Sequence, residues 1–183
     1  MERSLKRTWA EINLDNLAEN YQKLRQQVKP GTKFLGVVKA DAYGHGAVRV
    51  ARKLEQLGAD YLAVSNVEEA EELRHNGVHM PILLLGYTPE DMTETLIEND
   101  VTQDVPSLEM ARAYSAEAGK LGKVLRVHLK LDTGMGRLGF QCDEEHFEES
   151  LREILEAVQL PNLDWEGVFM HFCVSDEPDS IRC

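Results

Sequence analysis

The sequence lacks three features that would indicate particular classes of protein. Its three cysteines are irregularly spaced and form no zinc-ligand pattern, so no metal site is predicted. No apolar run is long enough to cross a bilayer, and no hydrophobic signal segment follows the charged N-terminus. Basic residues are few, 20 against 32 acidic ones, and the formal net charge is −12. This charge argues against nucleic acid or an anionic membrane as a partner, and we expect a cytoplasmic protein.

The 183 residues suffice for one domain, and a hydrophobic share of 43% is enough for a packed core. Residues 1–14 are predicted to be an N-terminal extended segment, since residues 8–14 alternate apolar and polar side chains as a half-exposed strand does. Asp15 is placed to cap the helix that would follow. The remaining residues, 15–183, are predicted to form one α/β unit.

Short apolar runs alternate with amphipathic helices from residue 33 onward. They predict strands at residues 33–39, 60–64, 81–85, 101–105, 124–130 and 165–170. Ser65 and Glu68 are spaced as a capping box for the helix after the second strand. Strands of this kind separated by helices predict parallel βαβ units. An eight-fold β/α barrel and a doubly wound open sheet both satisfy the pattern, and six strands are too few to close a barrel.

Lys39 stands at the end of the first strand, which we expect to be buried on both faces. A turn with Gly44 and Gly46 and then a helix follow it. A lysine amine among apolar side chains is a good nucleophile, because its charged form is poorly hydrated there. The first N–H groups of the next helix would bind an anion. An amine beside an anion site suits pyridoxal 5'-phosphate (PLP), whose aldehyde forms a Schiff base, although a solvated surface lysine would show the same spacing.

Residues 37–46 read Val-Val-Lys-Ala-Asp-Ala-Tyr-Gly-His-Gly. This segment resembles, at every position, the PLP attachment signature of the alanine racemases. The resemblance implies that Lys39 carries the cofactor as a Schiff base and serves as one of two catalytic bases. It also implies that Tyr43 binds the cofactor phosphate.

A second segment, residues 128–140, predicts a strand end and a Gly-x-Gly turn that delivers Arg137. Active sites of β/α barrels lie at the carboxyl ends of the strands, where Lys39 would also lie. An arginine that only binds loop carbonyls is the alternative. Residues 130–139 are similar to the second signature of the alanine racemases. This resemblance implies that Arg137 binds the phenolic oxygen of the cofactor and the substrate carboxylate.

Two more side chains enter through the resemblance. A lysine at the position of Lys130 is carbamylated in some alanine racemases and steadies the arginine. A histidine at the position of His171, after the sixth predicted strand, packs against the pyridine ring of the cofactor. Without the resemblance, a lone histidine at a strand end is more often a core residue. His128 and Asp132 are interpreted as supporting or structural residues.

The resemblance spans nearly the whole chain and favours the barrel over the open sheet. It implies a TIM-type (β/α)8 barrel that is incomplete here, with about six strands and without the family's C-terminal β domain. The implied function is that of the N-terminal, cofactor-carrying part of a homodimeric PLP-dependent isomerase that interconverts L- and D-alanine for cell-wall synthesis. We expect the 183-residue chain alone to be inactive, because the family's second base is a tyrosine of the partner subunit's C-terminal domain. A serine racemase of the same fold and a non-catalytic PLP-binding barrel protein remain alternatives.

Overall fold

The computed structural model describes residues 8–177 as a parallel sheet with helices packed against it. The strands are β1 (Leu35–Val37), β2 (Tyr61–Val64), β3 (Ile82–Leu84), β4 (Val101–Val105), β5 (Leu125–Asp132), β6 (Phe140–Gln141) and β7 (Leu163–Phe169). The helices are α1 (Leu14–Arg25), α2 (Lys39–Gly44), α3 (Ala47–Gln56), α4 (Val67–His75), α5 (Thr93–Glu98), α6 (Leu108–Leu121) and α7 (Phe147–Ala157), with a 3-10 turn at Glu90–Met92. None of the helices within residues 8–177 is both long and apolar enough to cross a membrane.

The strand order identifies the architecture. Strands β1 to β5 lie side by side in chain order, all parallel, and β7 pairs with the free side of β5. A doubly wound sheet would reverse its order at a switch point, whereas a β/α barrel adds each strand beside the last one. The six predicted strands and the barrel-type fold are therefore confirmed. The two-residue strand β6, which pairs with the end of β5, was not predicted.

The hydrophobic core lies between the sheet and its helices. Val50, Ala51 and Leu54 of α3 belong to this core. Ile82 and Leu84 of β3 belong to it as well. The buried residues of α3 recur at helical spacing, as expected for a helix that buries one face. In β3 all three residues, Leu83 included, are buried, so this strand is covered on both faces.

Gly36 of β1 allows α3 to pack closely on this strand. A Cβ atom at Gly36 would lie 2.5 Å from Cδ1 of Leu54, so a larger residue there would require the Leu54 side chain to move. This contact places the Leu54 side chain of α3 against β1, and Lys39 lies in the segment that joins the two elements.

Strand β1 is not buried on both faces as predicted. Leu35 and Val37 are 37% and 41% exposed, whereas Gly36 between them is buried. Their side chains lie on the face of β1 that is turned away from α3. This face is the inner face of the incomplete barrel. Within residues 8–177, β1 is an edge strand with β2 as its one neighbour, so this face is only partly covered.

The N-terminal segment also differs from the prediction. Residues 8–13 form no strand, and residues 1–7 of the predicted segment, like residues 178–183, lie outside the described residues. Helix α1 is capped by Asn13, whose side-chain oxygen accepts hydrogen bonds from the backbone N–H groups of Asp15 and Asn16 at 2.9 and 3.1 Å. Asp15, the predicted cap, lies in the first helical turn, where a carboxylate is favourable to the helix dipole.

Candidate active site

A cavity of about 220 Å³ opens where the strands reach their carboxyl ends. Four of the five predicted site residues line it, namely Lys39, Lys130, Arg137 and His171, together with Leu85, Met135 and Leu138. They come from the ends of β1, β5 and β7 and from the loop after β5, which are far apart in sequence. The fold thus brings one amine, one guanidinium and one imidazole to a single pocket beside a second lysine.

Tyr43 is the predicted site residue that does not line this cavity. It belongs to α2, four positions after Lys39, and is 63% exposed. The role of its hydroxyl group toward a phosphate therefore stays a prediction.

The segment after Lys39 is a left-handed turn. Ala40, Asp41, Ala42 and Tyr43 have φ of 51–55° and ψ of 39–51°. For residues other than glycine this region costs about 1–2 kcal/mol each. Hydrogen bonds close the turn, among them that from the Ala42 N–H to the Val38 carbonyl at 2.9 Å. The sequence predicted a turn here from Gly44 and Gly46, but no residue pattern indicated its left-handed conformation.

The predicted anion site at the start of α3 is partly filled by the chain itself. The backbone N–H of Ala47, the first residue of α3, donates to Oδ1 of Asp41 at 2.7 Å. A carboxylate at a helix N-terminus is a favourable arrangement, so Asp41 stabilises both the turn and the helix. This N–H group is consequently engaged within the protein and not directed at a ligand.

Asp132 organises the loop that presents Arg137. Its Oδ1 accepts hydrogen bonds from the backbone N–H groups of Gly134 and Gly136 at 3.0 and 3.1 Å. Its Oδ2 accepts one from the backbone N–H of Arg137 at 2.9 Å. Burial alone would raise the pKa of Asp132, but these hydrogen bonds outweigh it and hold the pKa below its ordinary value. Asp132 thus has the structural role that was predicted for it, because it binds the backbone of the loop that carries Arg137.

Lys130 is buried beside Arg137 and Asp132. Its Nζ donates to the carbonyl of Leu131 at 2.9 Å and lies 4.9 Å from the centre of the Phe169 ring. Burial lowers the pKa of Lys130, and the nearby Arg137 lowers it further, although Asp132 acts in the opposite direction. A larger share of neutral amine follows, which is the form that carbamylation requires.

His171 lies at the edge of the cavity, where its surroundings favour the neutral imidazole. Burial lowers its pKa, and the positive charges of Lys130, Arg137 and Lys39 lower it further. Its Nδ1 is buried and has no hydrogen-bond partner among the described residues. The ring lies 6.0 Å from that of Phe169, centre to centre. The cavity therefore holds a flat uncharged ring with one polar atom unused.

Comparison with known proteins identifies the family. Residues 12–182 match the family model for the N-terminal domain of alanine racemase. The chain belongs to the alanine racemase family. It is 44% identical over 179 residues to an alanine racemase of Clostridium tetani, which covers 98% of this chain and 45% of that protein. It is 47% identical over 172 residues to an alanine racemase of Clostridium perfringens, which covers 93% of this chain and 43% of that protein.

A solved alanine racemase of Clostridium difficile 630 has the same fold, with a TM-score of 0.89 and 47% identity over 98% of this chain and 46% of that chain. The chain thus spans less than half of the length of the alanine racemases that it matches. The comparison shows the family of this chain, whereas the named activity is that of proteins about twice as long.

The contents of the cavity fit the PLP of the alanine racemase family. A primary amine, Lys39, reaches the same space as a permanently charged donor, Arg137, and a neutral ring, His171. The buried Nδ1 of His171 is available for a further hydrogen bond. Within residues 8–177 no three His, Cys, Asp or Glu side chains are grouped as metal ligands.

Asp104 is a buried acid that the sequence analysis did not predict. It is fully buried in β4, and its Oδ1 accepts a hydrogen bond from Nε2 of Gln103 at 2.6 Å. Burial raises its pKa to about 7, against the opposing effects of Lys130 and of that hydrogen bond. The available signal was the presence of a charged residue in a strand that is otherwise suited to the core.

Proposed function

We propose that this chain is the N-terminal, cofactor-carrying part of a PLP-dependent alanine racemase. The observation that carries the proposal is the cavity shared by Lys39, Arg137 and His171 at the carboxyl ends of the strands. Active sites of β/α barrels form at this end. The two segments that resemble the family signatures therefore converge on one place.

The five predicted site residues would each have a task toward the cofactor. Lys39 would hold it covalently through its amine. Arg137 would donate hydrogen bonds to the phenolic oxygen and bind the substrate carboxylate. His171, neutral because of its lowered pKa, offers its ring to the pyridine. Tyr43 is proposed to bind the phosphate, and Lys130, in carbamylated form, to hold Arg137.

The reaction exchanges a proton at the Cα atom of the amino acid. When bound, PLP supplies an electron sink that makes this proton acidic. With the cofactor bound, the amine of Lys39 would be the group of this chain that removes the Cα proton on one face or returns it. Arg137 compensates the carboxylate charge and keeps the substrate in one orientation.

Racemisation also needs a base on the other face of Cα. By resemblance, this base is a tyrosine in the C-terminal domain of the partner subunit, so we propose a homodimer as the active form. The 183-residue chain alone is then expected to bind PLP without racemising alanine. An alanine racemisation assay of this chain, with a rate comparable to that of longer members of the family, would contradict this part of the proposal.

Spectroscopic titration with PLP tests the proposal. The chain is expected to develop the yellow absorbance of a lysine-bound cofactor, and Lys39→Ala to lose it. Lys33→Ala, which removes an exposed lysine just before β1, serves as the matched control and should bind as the unmodified chain does. Equal absorbance in the Lys39→Ala variant would refute Lys39 as the attachment site.

The substrate can be examined with the same chain. An amino acid that replaces Lys39 on the cofactor should protect this lysine from fixation by borohydride. Alanine is expected to protect at lower concentration than serine if the chain belongs to an alanine racemase. Stronger protection by serine would favour a serine racemase instead, and no protection by either would favour a non-catalytic PLP-binding protein.

A further inference from the structure

The turn that follows Lys39 has a backbone conformation that its own residues disfavour. Ala40, Asp41, Ala42 and Tyr43 all have positive φ, and none of them is glycine. Such a segment persists only where its surroundings fix it. The groups that fix it also determine where Lys39 is held.

The carboxylate of Glu69 joins this turn to the neighbouring strand. Its Oε1 accepts a hydrogen bond from the backbone N–H of Ala40 at 2.7 Å. Its Oε2 accepts hydrogen bonds from the backbone N–H and the hydroxyl group of Ser65 at 2.8 and 2.9 Å. Ala40 follows Lys39 directly, and Ser65 follows β2 directly. One side chain thus connects the carboxyl ends of two adjacent strands, β1 and β2, at the mouth of the barrel.

Helix capping explains only half of this arrangement. Asn66 caps α4, and its Oδ1 accepts a hydrogen bond from the backbone N–H of Glu69 at 2.9 Å. A glutamate at the third helical position commonly reaches back to the chain just before the helix, as Glu69 does to Ser65. The bond to Ala40, 29 residues earlier in the chain, is not needed to cap α4.

We propose that Glu69 is a positioning residue for Lys39. By holding the Ala40 N–H against the end of β2, it sets the point at which the left-handed turn begins. The direction of the Lys39 side chain toward Arg137 and His171 follows from that point. The inference rests on the proposed function, since it concerns the geometry in which the Lys39 amine meets the cofactor aldehyde.

Three kinds of variant separate positioning from capping. Glu69→Ala removes every bond, and Glu69→Gln keeps one acceptor oxygen. Ser65→Ala removes one bond on the capping side and leaves the link to Ala40 intact. Glu68 is exposed and lies in the same first turn of α4, so Glu68→Ala and Glu68→Gln are matched controls for helix propensity and charge.

Two measurements are made on each full 183-residue chain. Hydrogen–deuterium exchange without cofactor reports the protection of the Ala40 amide. The rate at which PLP and borohydride label Lys39, mapped by mass spectrometry, reports the position of the amine. Thermal unfolding is followed in parallel, so that rates are compared at equal folded fractions. A residue with a purely structural role would change the unfolding temperature without changing the labelling rate of the folded chain.

Glu69→Ala is expected to lose protection at Ala40 and to label Lys39 about 10- to 100-fold more slowly, since misplacement by about 1 Å has effects of this size. Glu69→Gln should lie between this variant and the unmodified chain. Ser65→Ala and both Glu68 variants should label at the unmodified rate. If Glu69→Ala does not fold, Glu69→Gln against Glu68→Gln provides the comparison.

Unchanged labelling of Lys39 in folded Glu69 variants would overturn the inference and leave the proposed function standing. An Ala40 amide that stays protected in the Glu69→Ala variant would overturn it as well. No label on Lys39 in the unmodified chain would overturn the proposed function, and this inference with it.

Discussion

The carboxylate of Asp132 holds the backbone of Arg137, with Oδ2 2.9 Å from its amide nitrogen. Oδ1 of the same carboxylate accepts hydrogen bonds from the backbone N–H groups of Gly134 and Gly136. A buried acceptor with three charge-assisted hydrogen bonds fixes a loop more firmly than the loop's own residues could, since two of them are glycines. The position of the guanidinium at the cavity therefore depends on a residue that does not line the cavity.

Asp132→Asn should destabilise the protein and loosen the Arg137 loop. Replacing one acceptor oxygen by an NH2 group leaves at least one N–H without a partner, and we expect a loss of about 1–3 kcal/mol in the free energy of unfolding. Because the pKa of Asp132 is lowered in the folded state, its stabilising effect is present above the unfolded pKa. It is lost as the pH falls through the folded pKa.

Urea unfolding of the Asp132→Asn variant at several pH values checks this expectation. Asp164→Asn, at an exposed position in β7, is the control and should change stability little. The difference between Asp132→Asn and the unmodified chain should be largest near neutral pH and shrink in acid. A difference that is independent of pH would show that the charge on Asp132 does not stabilise the loop.

Asp104→Asn should make the protein more stable at neutral and alkaline pH. The pKa of Asp104 is raised from 3.8 to about 7 by burial, so between these values the folded state keeps a proton that the unfolded state has lost. Stability therefore falls as the pH rises through this window and levels off above it. The loss amounts to at most about 4 kcal/mol, at about 1.4 kcal/mol per unit of pKa.

The asparagine variant lacks this titration but keeps the oxygen that binds Gln103, because Oδ2 of Asp104 has no partner among the described residues. Thermal unfolding at pH 4 and pH 8 measures the effect. We expect the two chains to be similar at the lower pH and the variant to be clearly more stable at the higher one. A variant that is less stable at pH 8 would mean that the charged carboxylate of Asp104 is itself stabilising, through Lys130.

Ala40→Gly should raise the free energy of unfolding by up to about 1 kcal/mol. Glycine removes a left-handed cost of about 1–2 kcal/mol, which exceeds the roughly 0.4–1 kcal/mol by which it favours the unfolded chain. Ala116→Gly is the matched control at an exposed position in the right-handed helix α6, where the same change should cost about 1 kcal/mol. Equal losses in the two variants, measured by denaturant unfolding, would contradict a strained turn at Ala40.

The main lines of the fold could be predicted because apolar runs and helical spacing report burial directly. The runs around Leu62, Ile82 and Val127 each became a strand of the parallel sheet, in the expected order. Convergence of Lys39 with Arg137 also followed from parallel strands, whose carboxyl ends meet at one edge. The short strand β6 could not be predicted, since two residues carry no periodicity.

Local capping was predictable only in part, because neighbouring residues of the same chemical type compete for one role. Asn13 caps α1 although Asp15 was the predicted cap, and Glu69 bonds to Ser65 although Glu68 had the capping-box spacing. Which residue caps the helix depends on the backbone geometry at the helix start, and the residue types alone do not show this geometry. The left-handed turn from Ala40 to Tyr43 was unpredictable for a stronger reason, since tertiary contacts impose it against the preference of each residue.

The central claim is that Lys39 carries PLP, and peptide mapping after reduction tests it most directly. The chain is incubated with PLP, fixed with borohydride, digested and sequenced by mass spectrometry. We predict one stoichiometric pyridoxyl group on Lys39, with Lys130 in the same cavity and the exposed Lys33 unlabelled. Label spread over several lysines, or concentrated on Lys130, would contradict the account.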